Sequence, residues 1–109
     1  MALNEQRFLI LTALADGPLH GYAIADEIKT ISEGVRTPRP GSLYHALDKL
    51  VDAGLVGVDR EETVDGRLRR YYKLTERGAL ELAAEAELRQ ATAQTALLRL
   101  RPQMRWVLG

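Results

Sequence analysis

Four cationic side chains give this sequence its clearest potential for binding chemistry. A short stretch carries Arg67, Arg69, Arg70 and Lys73, with no acidic residue among them. If the stretch is a strand, alternation places all of them except Arg70 on one face. Guanidinium and ammonium groups in such a row suit phosphate oxygens. The simpler interpretation is a solvated strand whose charges only prevent pairing with another strand edge. The elements next to the strand are needed to distinguish this interpretation from phosphate binding.

A short helix is predicted just before these strands, with Ser42 as its N-cap and Gly54 after its end. Its inner face is formed by Leu43, Leu47 and Leu50. Tyr44, His45 and Lys49 fall on the outer face. With Ser42 and the free helix amides, Tyr44 could bind a phosphate, or it could pack on the following hairpin.

His45 and Lys49 lie one turn apart and could reach base edges in a major groove, or could form only a solvated face. Arg39, in the basic loop before the helix, and Tyr22, in the preceding helix, are further candidates for contact with a nucleic-acid backbone. Tyr22 could equally serve to anchor its own helix.

Two alternating runs after the helix predict a β-hairpin. Leu55 to Glu62 and Leu68 to Leu74 alternate, and Asp65-Gly66 joins them; an Asp-Gly pair is the strongest short hairpin signal. Leu68, Tyr72 and Leu74 are expected on the inner face. Arg67 then lies at the tip, where it could enter a minor groove or contact the nucleic-acid backbone.

The remaining pattern predicts three more helices. Asn4 caps a first helix to about Ala15, and a second follows His20-Gly21. Thr75 caps a long final helix from Glu76 to about Arg101, where Pro102 breaks or restarts it. The predicted fold is mainly α with a small β-hairpin. It divides into a winged helix-turn-helix over 1–75 and a C-terminal dimerisation helix and tail over 76–109.

The final helix also carries a heptad pattern. Positions with strict four–three spacing are small or apolar with one polar interruption: Ala79, Ala83, Ala86, Gln90, Ala93, Leu97 and Leu100. We call these seven residues the seam. Because a long helix persists only when it packs on something, the seam predicts a homodimer.

Composition excludes several classes of function. The 109 residues carry 15 basic and 15 acidic side chains and no cysteine, which excludes disulfides and thiolate metal sites. The sequence contains no nucleophile motif, no phosphate-binding loop and no obvious pair of carboxylates. We therefore expect neither an enzyme nor a cofactor. His20 and His45 lack a spaced third metal ligand, and His20 is better placed to cap the second helix. Because no leader peptide or apolar span is visible, we expect a cytoplasmic protein and no membrane partner.

Several short motifs resemble those of the PadR family of transcriptional regulators. They occur in order across roughly Leu9 to Gly78: His20-Gly21-Tyr22, Pro40-Gly41-Ser42-Leu43-Tyr44, Gly54-Leu55, Gly66-Arg67, Tyr71-Tyr72, and Leu74-Thr75 with Gly78. The resemblance implies a winged-helix domain and a dimer built by one C-terminal helix, as in the short branch of the family. It also implies binding of a palindromic operator, usually as a repressor, often of detoxification or drug-efflux genes.

The sequence departs from the family pattern at two positions. His45 stands where the family usually has proline, which alters an expected groove-facing residue. The drug-binding members carry a tryptophan within the last helix, whereas the single tryptophan here is Trp106, beyond Pro102. A drug sandwiched between two tryptophans is therefore not expected.

A small aromatic effector remains a hypothesis. Dimerisation through the last helix could bring Leu3 and Phe8 toward the partner's Leu97 and Leu98 and leave an apolar pocket near the dimer centre. A flat apolar ligand could occupy this pocket, with Trp106 nearby if the tail folds back. A dry, well-packed junction is the alternative. The alternative function for the chain is that of a winged helix that senses a ligand or binds a protein and binds DNA only weakly. The basic strand argues against this alternative.

Overall fold

The computed structural model describes the backbone of residues 3–108 and the side chains of residues 3–104. The elements, in chain order, are α1 (Glu5–Leu14), β1 (Leu19–His20), α2 (Gly21–Ile31), α3 (Pro40–Asp52), β2 (Val56–Val64), β3 (Arg67–Leu74) and α4 (Glu76–Leu108). This is a mainly helical winged helix with a long C-terminal helix, which confirms the predicted fold class.

The sheet has three strands rather than the two of the predicted hairpin. β3 lies in the middle, pairing antiparallel with β2 on one side and with β1 on the other, where Leu19 faces Tyr72. Two residues are too few to show alternation, which is why β1 was not predicted. The predicted Asp65-Gly66 turn is confirmed, since both residues have the positive φ of a primed hairpin turn, 52° and 76°.

The hairpin extends beyond the helices that cover its base. Tyr72 is buried at 3% exposure and Leu74 is half-buried, but Leu68 is 63% exposed, so its predicted place on the inner face does not bring it into the core. The pairing shifts between Val58 and Arg60, which leaves Asp59 as an extra residue in β2. The outer half of the hairpin is therefore a ribbon without a hydrophobic layer.

Three of the four predicted helix caps are confirmed. The Asn4 side chain accepts from the Arg7 amide at 2.8 Å, and His20 Nδ1 accepts from the Ala23 amide at 3.4 Å. Thr75 Oγ1 accepts from the Gly78 amide at 3.0 Å. These side chains satisfy amides that the first helical turn leaves without partners.

The prediction that Ser42 caps α3 is wrong. α3 begins two residues earlier, at Pro40, with Arg39 at the N-cap position and no side-chain cap. Proline suits the first helical position because its φ is already helical and its missing amide needs no partner there. Ser42 lies within the first turn, where its hydroxyl accepts a hydrogen bond from Gln6 Nε2 at 3.0 Å.

One apolar core joins the first three helices to the base of the sheet. Its largest fully buried side chains are Ile10, Leu11, Leu14, Ile24, Ile28, Leu43, Leu47, Leu50, Leu55 and Val56. Every described helix before α4 contributes, so the outer face of α3 is held in a defined orientation relative to the hairpin.

Tyr44 packs across the beginning of α2 because residue 21 has no side chain. A Cβ on Gly21, which is buried, would overlap the Tyr44 hydroxyl and lie 2.7 Å from Cζ of the ring. A ring, unlike a flexible chain end, must move as a unit to relieve such an overlap. The His20-Gly21-Tyr22 and Leu43-Tyr44 motifs are thus two sides of one contact between α2 and α3.

The start of α4 is attached to the turn between α3 and β2. Thr75 Oγ1 donates to the Gly54 carbonyl at 2.6 Å, and the Thr75 amide donates to the Leu55 carbonyl at 3.2 Å. A Cβ on Gly78 would overlap that same Leu55 carbonyl oxygen. Glycine at 78 therefore allows the helix to approach the backbone of the turn.

The expected break at Pro102 does not occur. α4 continues through Pro102 to Leu108. Proline removes one amide hydrogen bond to the carbonyl four residues earlier, and on a helix exposed throughout this region that carbonyl can be hydrated instead. The side chain of Trp106 lies outside the described residues.

We expect Gly78→Ala to lower the free energy of unfolding by about 1–3 kcal/mol, because the new methyl group meets backbone that cannot rotate away. Gly41→Ala is the matched control, since its Cβ meets nothing within 4 Å and alanine favours helix. Urea denaturation monitored by circular dichroism measures both. Equal stability of the two variants would contradict the close approach.

The Gly21–Tyr44 contact predicts a non-additive pair of substitutions. Gly21→Ala should destabilise the native chain but cost less in a Tyr44→Ala background, where the ring is gone. The coupling should be about 0.5–3 kcal/mol, as for residues in direct contact. A denaturation cycle over the four proteins measures it, and additive effects would show that the ring does not require glycine at 21.

Candidate nucleic-acid interface

A groove of ≈ 800 Å³ separates the hairpin from α3 and the start of α2. Residues from all three elements line it: His20, Gly21, Tyr22, Tyr44, Asp48, Val64, Asp65, Arg67, Leu68, Arg69, Arg70 and Tyr72. Its two walls differ in chemistry. The hairpin contributes the guanidinium groups, whereas the opposite wall contributes the phenols of Tyr22 and Tyr44 and the imidazole of His20, which directly precedes α2.

The groove collects only some of the residues predicted to contact nucleic acid. Tyr22, Tyr44, Arg67 and Arg69 line it, and the remaining candidates lie outside. Arg39 and Ser42 line a smaller depression of ≈ 350 Å³ beside α1. The structure therefore separates the candidates into a groove set and a set along the exposed side of α3 and its approach, while Lys73 lies on β3 outside the groove.

The exposed side of α3 carries both signs of charge. Leu43, Ala46, Leu47 and Leu50 are buried, and the opposite side presents His45, Asp48, Lys49 and Asp52, all exposed. Tyr44 lies at the flank that faces the hairpin. Asp48, one turn later, lies beside it in the groove and was not a predicted site residue, although its spacing from Tyr44 was visible in the sequence.

Tyr44 is positioned as a hydrogen-bond donor. It is 43% exposed, and burial of the rest of the side chain raises the pKa of its phenol above the ordinary value, with smaller contributions from Tyr72 and Tyr22. The hydroxyl therefore keeps its proton at every pH near neutrality. A protonated phenol at the edge of the groove can donate to a phosphate oxygen.

Acidic residues on β2 neutralise part of the positive charge of β3, which contains no acidic residue of its own. Arg70 pairs with Glu61 at 3.2 Å, and Lys73 approaches Asp59 at 3.8 Å. On β2 itself, a hydrogen bond from Arg60 lowers the pKa of Glu62 and keeps that carboxylate ionised. The strand that is basic by itself thus belongs to a ribbon of mixed charge.

Arg67 and Arg69 differ from their neighbours on β3. Neither forms an ion pair with a carboxylate within the described side chains. Arg67 is exposed beside the hairpin turn, and Arg69 is half-buried where β3 lines the groove. Within the hairpin, the positive charge that no ion pair holds is therefore at the tip and along the groove.

The predicted dimerisation residues form an exposed stripe on α4. All seven seam residues are exposed in the single chain, and Leu97 and Leu100 are 69% and 44% exposed. Met104 continues the same spacing and is 41% exposed. The stripe facing the body of the domain is a different one, Gly78, Leu82, Glu85 and Arg89, directly beside the seam on the helix surface.

The residues predicted at an effector pocket are distributed over two parts of the molecule. Leu3 is 5% exposed, and its side chain is packed into the core of the same chain. The ring of Phe8 lies 4.0 Å beneath the guanidinium of Arg89, which covers one face of the ring. Leu97 and Leu98 are exposed on the outer part of α4.

The described residues form neither a metal-binding cluster nor a helix that could span a membrane. Within residues 3–104, no group of three or more histidine, cysteine or acidic side chains is arranged to hold a metal ion. No described helix combines the length and the apolar composition that crossing a membrane requires.

Comparison with known proteins supplies the family. A model of the transcriptional regulator PadR-like family matches residues 10–84. The chain is 34% identical over 91 residues to the transcriptional regulator Rv3488 of Mycobacterium tuberculosis, covering 84% of this chain and 81% of that protein. It is 33% identical over 109 residues to the Escherichia coli transcriptional regulator YqjI, covering 94% of this chain.

The chain spans only about half of YqjI, at 51% of its length. Among solved structures, Bacillus subtilis PadR in complex with operator DNA superposes with a TM-score of 0.67 and 27% identity, over 74% of this chain and 46% of that one. The family match covers both walls of the groove and the start of α4. This chain belongs to the PadR-like family of transcriptional regulators, which is not a family of enzymes.

Proposed function

We propose that this protein is a cytoplasmic transcriptional repressor that binds a palindromic operator as a homodimer. The observation that carries the proposal is the groove, in which Arg67 and Arg69 face the phenols of Tyr22 and Tyr44. Neither arginine forms an ion pair among the described side chains, so both can bind phosphates. Arg69 does lie opposite Glu62 in the hairpin, and its charge helps to lower the pKa of that carboxyl group. Bacillus subtilis PadR, which shares the fold, has been crystallised with operator DNA.

In the proposed complex, the exposed side of α3 enters the major groove and the hairpin follows the adjacent backbone. The groove residues contact phosphates and set the register of the protein on the duplex. His45 and Lys49, on the outer side of α3, reach base edges. Arg39 and Ser42 lie at the N-terminal end of α3 and contact the backbone there. Lys73, which also approaches Asp59 at 3.8 Å, contacts the backbone from the hairpin.

The acidic residues on the same side of α3 shape this binding. Asp48 and Asp52 repel phosphates, so the surface cannot bind every duplex by charge alone. With a formal net charge of zero for the whole chain, non-specific affinity should be low. Specific binding should still depend strongly on salt, because the slope follows the number of phosphates that the protein contacts. Discrimination then depends on base contacts from α3.

The proposed dimer uses the seam on α4. Its leucines are exposed in the single chain, and its alanines allow two helices to approach closely. Since the seam lies directly beside the stripe that contacts the body, the partner's helix would run close to α1. A small apolar ligand entering that junction would change the angle between the two DNA readers and release the operator.

The ion pairs within the hairpin favour a second candidate function. If Glu61, Glu62 and Asp59 neutralise the hairpin enough, the winged helix would bind DNA weakly and act mainly as a ligand-sensing or protein-interaction module. A gel shift with the promoter of its own operon at two salt concentrations separates the two functions. Specific retardation at the higher salt supports the repressor, and its absence at both supports the module.

Arg67→Ala should weaken binding to all DNA sequences by a similar factor, because Arg67 contacts the backbone rather than a base. The slope of log affinity against log salt should become shallower by about one. Fluorescence anisotropy over a salt series measures the slope. Arg77→Ala is the control, since Arg77 has the same charge but pairs with Glu81 within α4. A slope that Arg67→Ala leaves unchanged would remove Arg67 from the interface.

Leu97→Asp should convert the dimer to monomer at micromolar concentration by placing a charge in the seam of each subunit. Leu97 is 69% exposed in the single chain, so the fold of the monomer should be unaffected. Thr95→Asp is the matched control, because helical periodicity places Thr95 on the side of α4 away from the seam. Light scattering measures both. A dimer that persists with Leu97→Asp would show that the subunits associate elsewhere.

A further inference from the structure

We propose that Arg89 is a positioning residue that sets the angle between α4 and the DNA-reading body, and so the spacing of operator half-sites that the protein accepts. The inference rests on the proposed function, because half-site spacing has meaning only for a dimer that reads DNA. The body is defined here as residues 3–74, and the joint as Arg89 with the three residues of the body that it contacts, Leu3, Glu5 and Phe8.

One guanidinium makes three different contacts across the joint. Arg89 Nη1 donates to Glu5 Oε2 at 2.6 Å, and Nη2 donates to the Leu3 carbonyl at 3.2 Å. Its Cζ lies 4.0 Å from the centre of the Phe8 ring. Each contact constrains a different direction, since an ion pair, a backbone acceptor and a ring face cannot all be satisfied after a rotation.

The joint lies where α4 leaves the body. Among the side chains of α4 that the structure describes, Arg89 is the last that is half-buried, and those from Gln90 to Met104 are all exposed. The other attachment of α4 is at its start, where Thr75 and Gly78 meet the turn between α3 and β2. Between the two ends, Leu82 packs against the core. Because α4 is attached to the body both at its start and at Arg89, its direction relative to the body is fixed. With the first attachment alone, the helix could rotate about its N-terminal end.

The length of the free part of α4 makes that direction important. Residues 90–108 extend about 28 Å at the α-helical rise of 1.5 Å per residue. A rotation of roughly 10° at the joint would displace the far end by about 5 Å, more than the ~3.4 Å between neighbouring base pairs. A small loss of angular definition therefore corresponds to more than one base pair of half-site spacing.

The chemistry of the joint requires arginine. The planar fork donates in two directions from one group and stacks on an aromatic face, whereas an ammonium is a point donor on a flexible stem. Arg89→Lys should keep the attraction to Glu5 but lose the simultaneous bond to Leu3. Glu5→Gln should keep the geometry of an acceptor while removing its charge.

The first test measures the angle within one chain, without DNA and without relying on a dimer. Because the sequence has no cysteine, Thr63→Cys on β2 and Thr95→Cys on α4 introduce two unique sites for spin labels. Labelled chains diluted with excess unlabelled protein report the distance between body and helix by electron–electron double resonance. We expect Arg89→Ala to at least double the width of the distance distribution, and Arg89→Lys and Glu5→Gln to give intermediate widths.

Arg77→Ala is the control for this test, because Arg77 is also a cation on α4 but pairs with Glu81 on the same helix. It should leave the width unchanged. Arg89 and Glu5 are both part-exposed, so loss of their ion pair should shift the thermal midpoint by about 5 °C or less. Should Arg89→Ala nevertheless fail to fold, Glu5→Gln and Arg89→Lys carry the same comparison.

The second test measures spacing selectivity. Operators with identical half-sites and spacers changed by one or two base pairs are compared by anisotropy. The unmodified protein should prefer one spacing by about tenfold or more, and Arg89→Ala should reduce the preference to about threefold or less while remaining dimeric by light scattering.

The outcomes separate the inference from the proposed function. Widened distances with no binding of any operator would support the joint and reject DNA binding. A width that Arg89→Ala leaves unchanged would overturn the inference, as would spacing selectivity that persists despite a widened distribution. A merely structural role would lower stability without altering either the width or the preferred spacing.

Discussion

The attachment of α4 to the turn after α3 is the contact on which the rest of the structure depends. The Thr75 side chain both caps α4 and donates to the Gly54 carbonyl, while Gly78 brings the helix against Leu55. Leu55 and Val56 belong to the core, and Val56 begins β2, the first strand of the hairpin. One turn of backbone therefore sets the positions of the end of α3, the base of the hairpin and the start of α4 at once.

A neutral chain can still present a local surface for phosphates because its charges are paired unevenly. Carboxylates on β2 lie beside Arg70 and Lys73, whereas Arg67 and Arg69 remain available at the groove. Solvent-exposed pairs of this kind contribute little to stability. These ion pairs instead determine which part of the protein surface has a positive electrostatic potential. A localised positive region favours binding of nucleic acid in one orientation over indiscriminate attraction.

The surroundings of Phe8 bear on both dimerisation and any ligand. Its ring is covered on one face by Arg89, and Leu3 beside it is buried in the same chain. An apolar ligand at this junction would have to compete with the guanidinium for the ring, or occupy space that the partner's helix provides. Such a ligand would thus disturb the contact between Arg89 and Phe8, which is the contact proposed to orient α4. The proposed joint could in this way respond to an effector.

The sequence by itself determined the elements whose signals are local. The Asp65-Gly66 turn, the caps at Asn4, His20 and Thr75, and the order of the four helices and the hairpin were all predicted. Turns and caps depend on residues within a few positions of each other, so their signals are visible in the sequence.

Only the tertiary structure decided what depends on distant partners. The two residues of β1 pair with β3 across the chain, and Tyr44 packs over Gly21 from another helix. The carboxylates of β2 neutralise part of β3 across the ladder, and Arg89 reaches Glu5 from 84 positions away. No pattern along the chain encodes these contacts, since each arises from folding that brings together residues with no periodic relation in sequence.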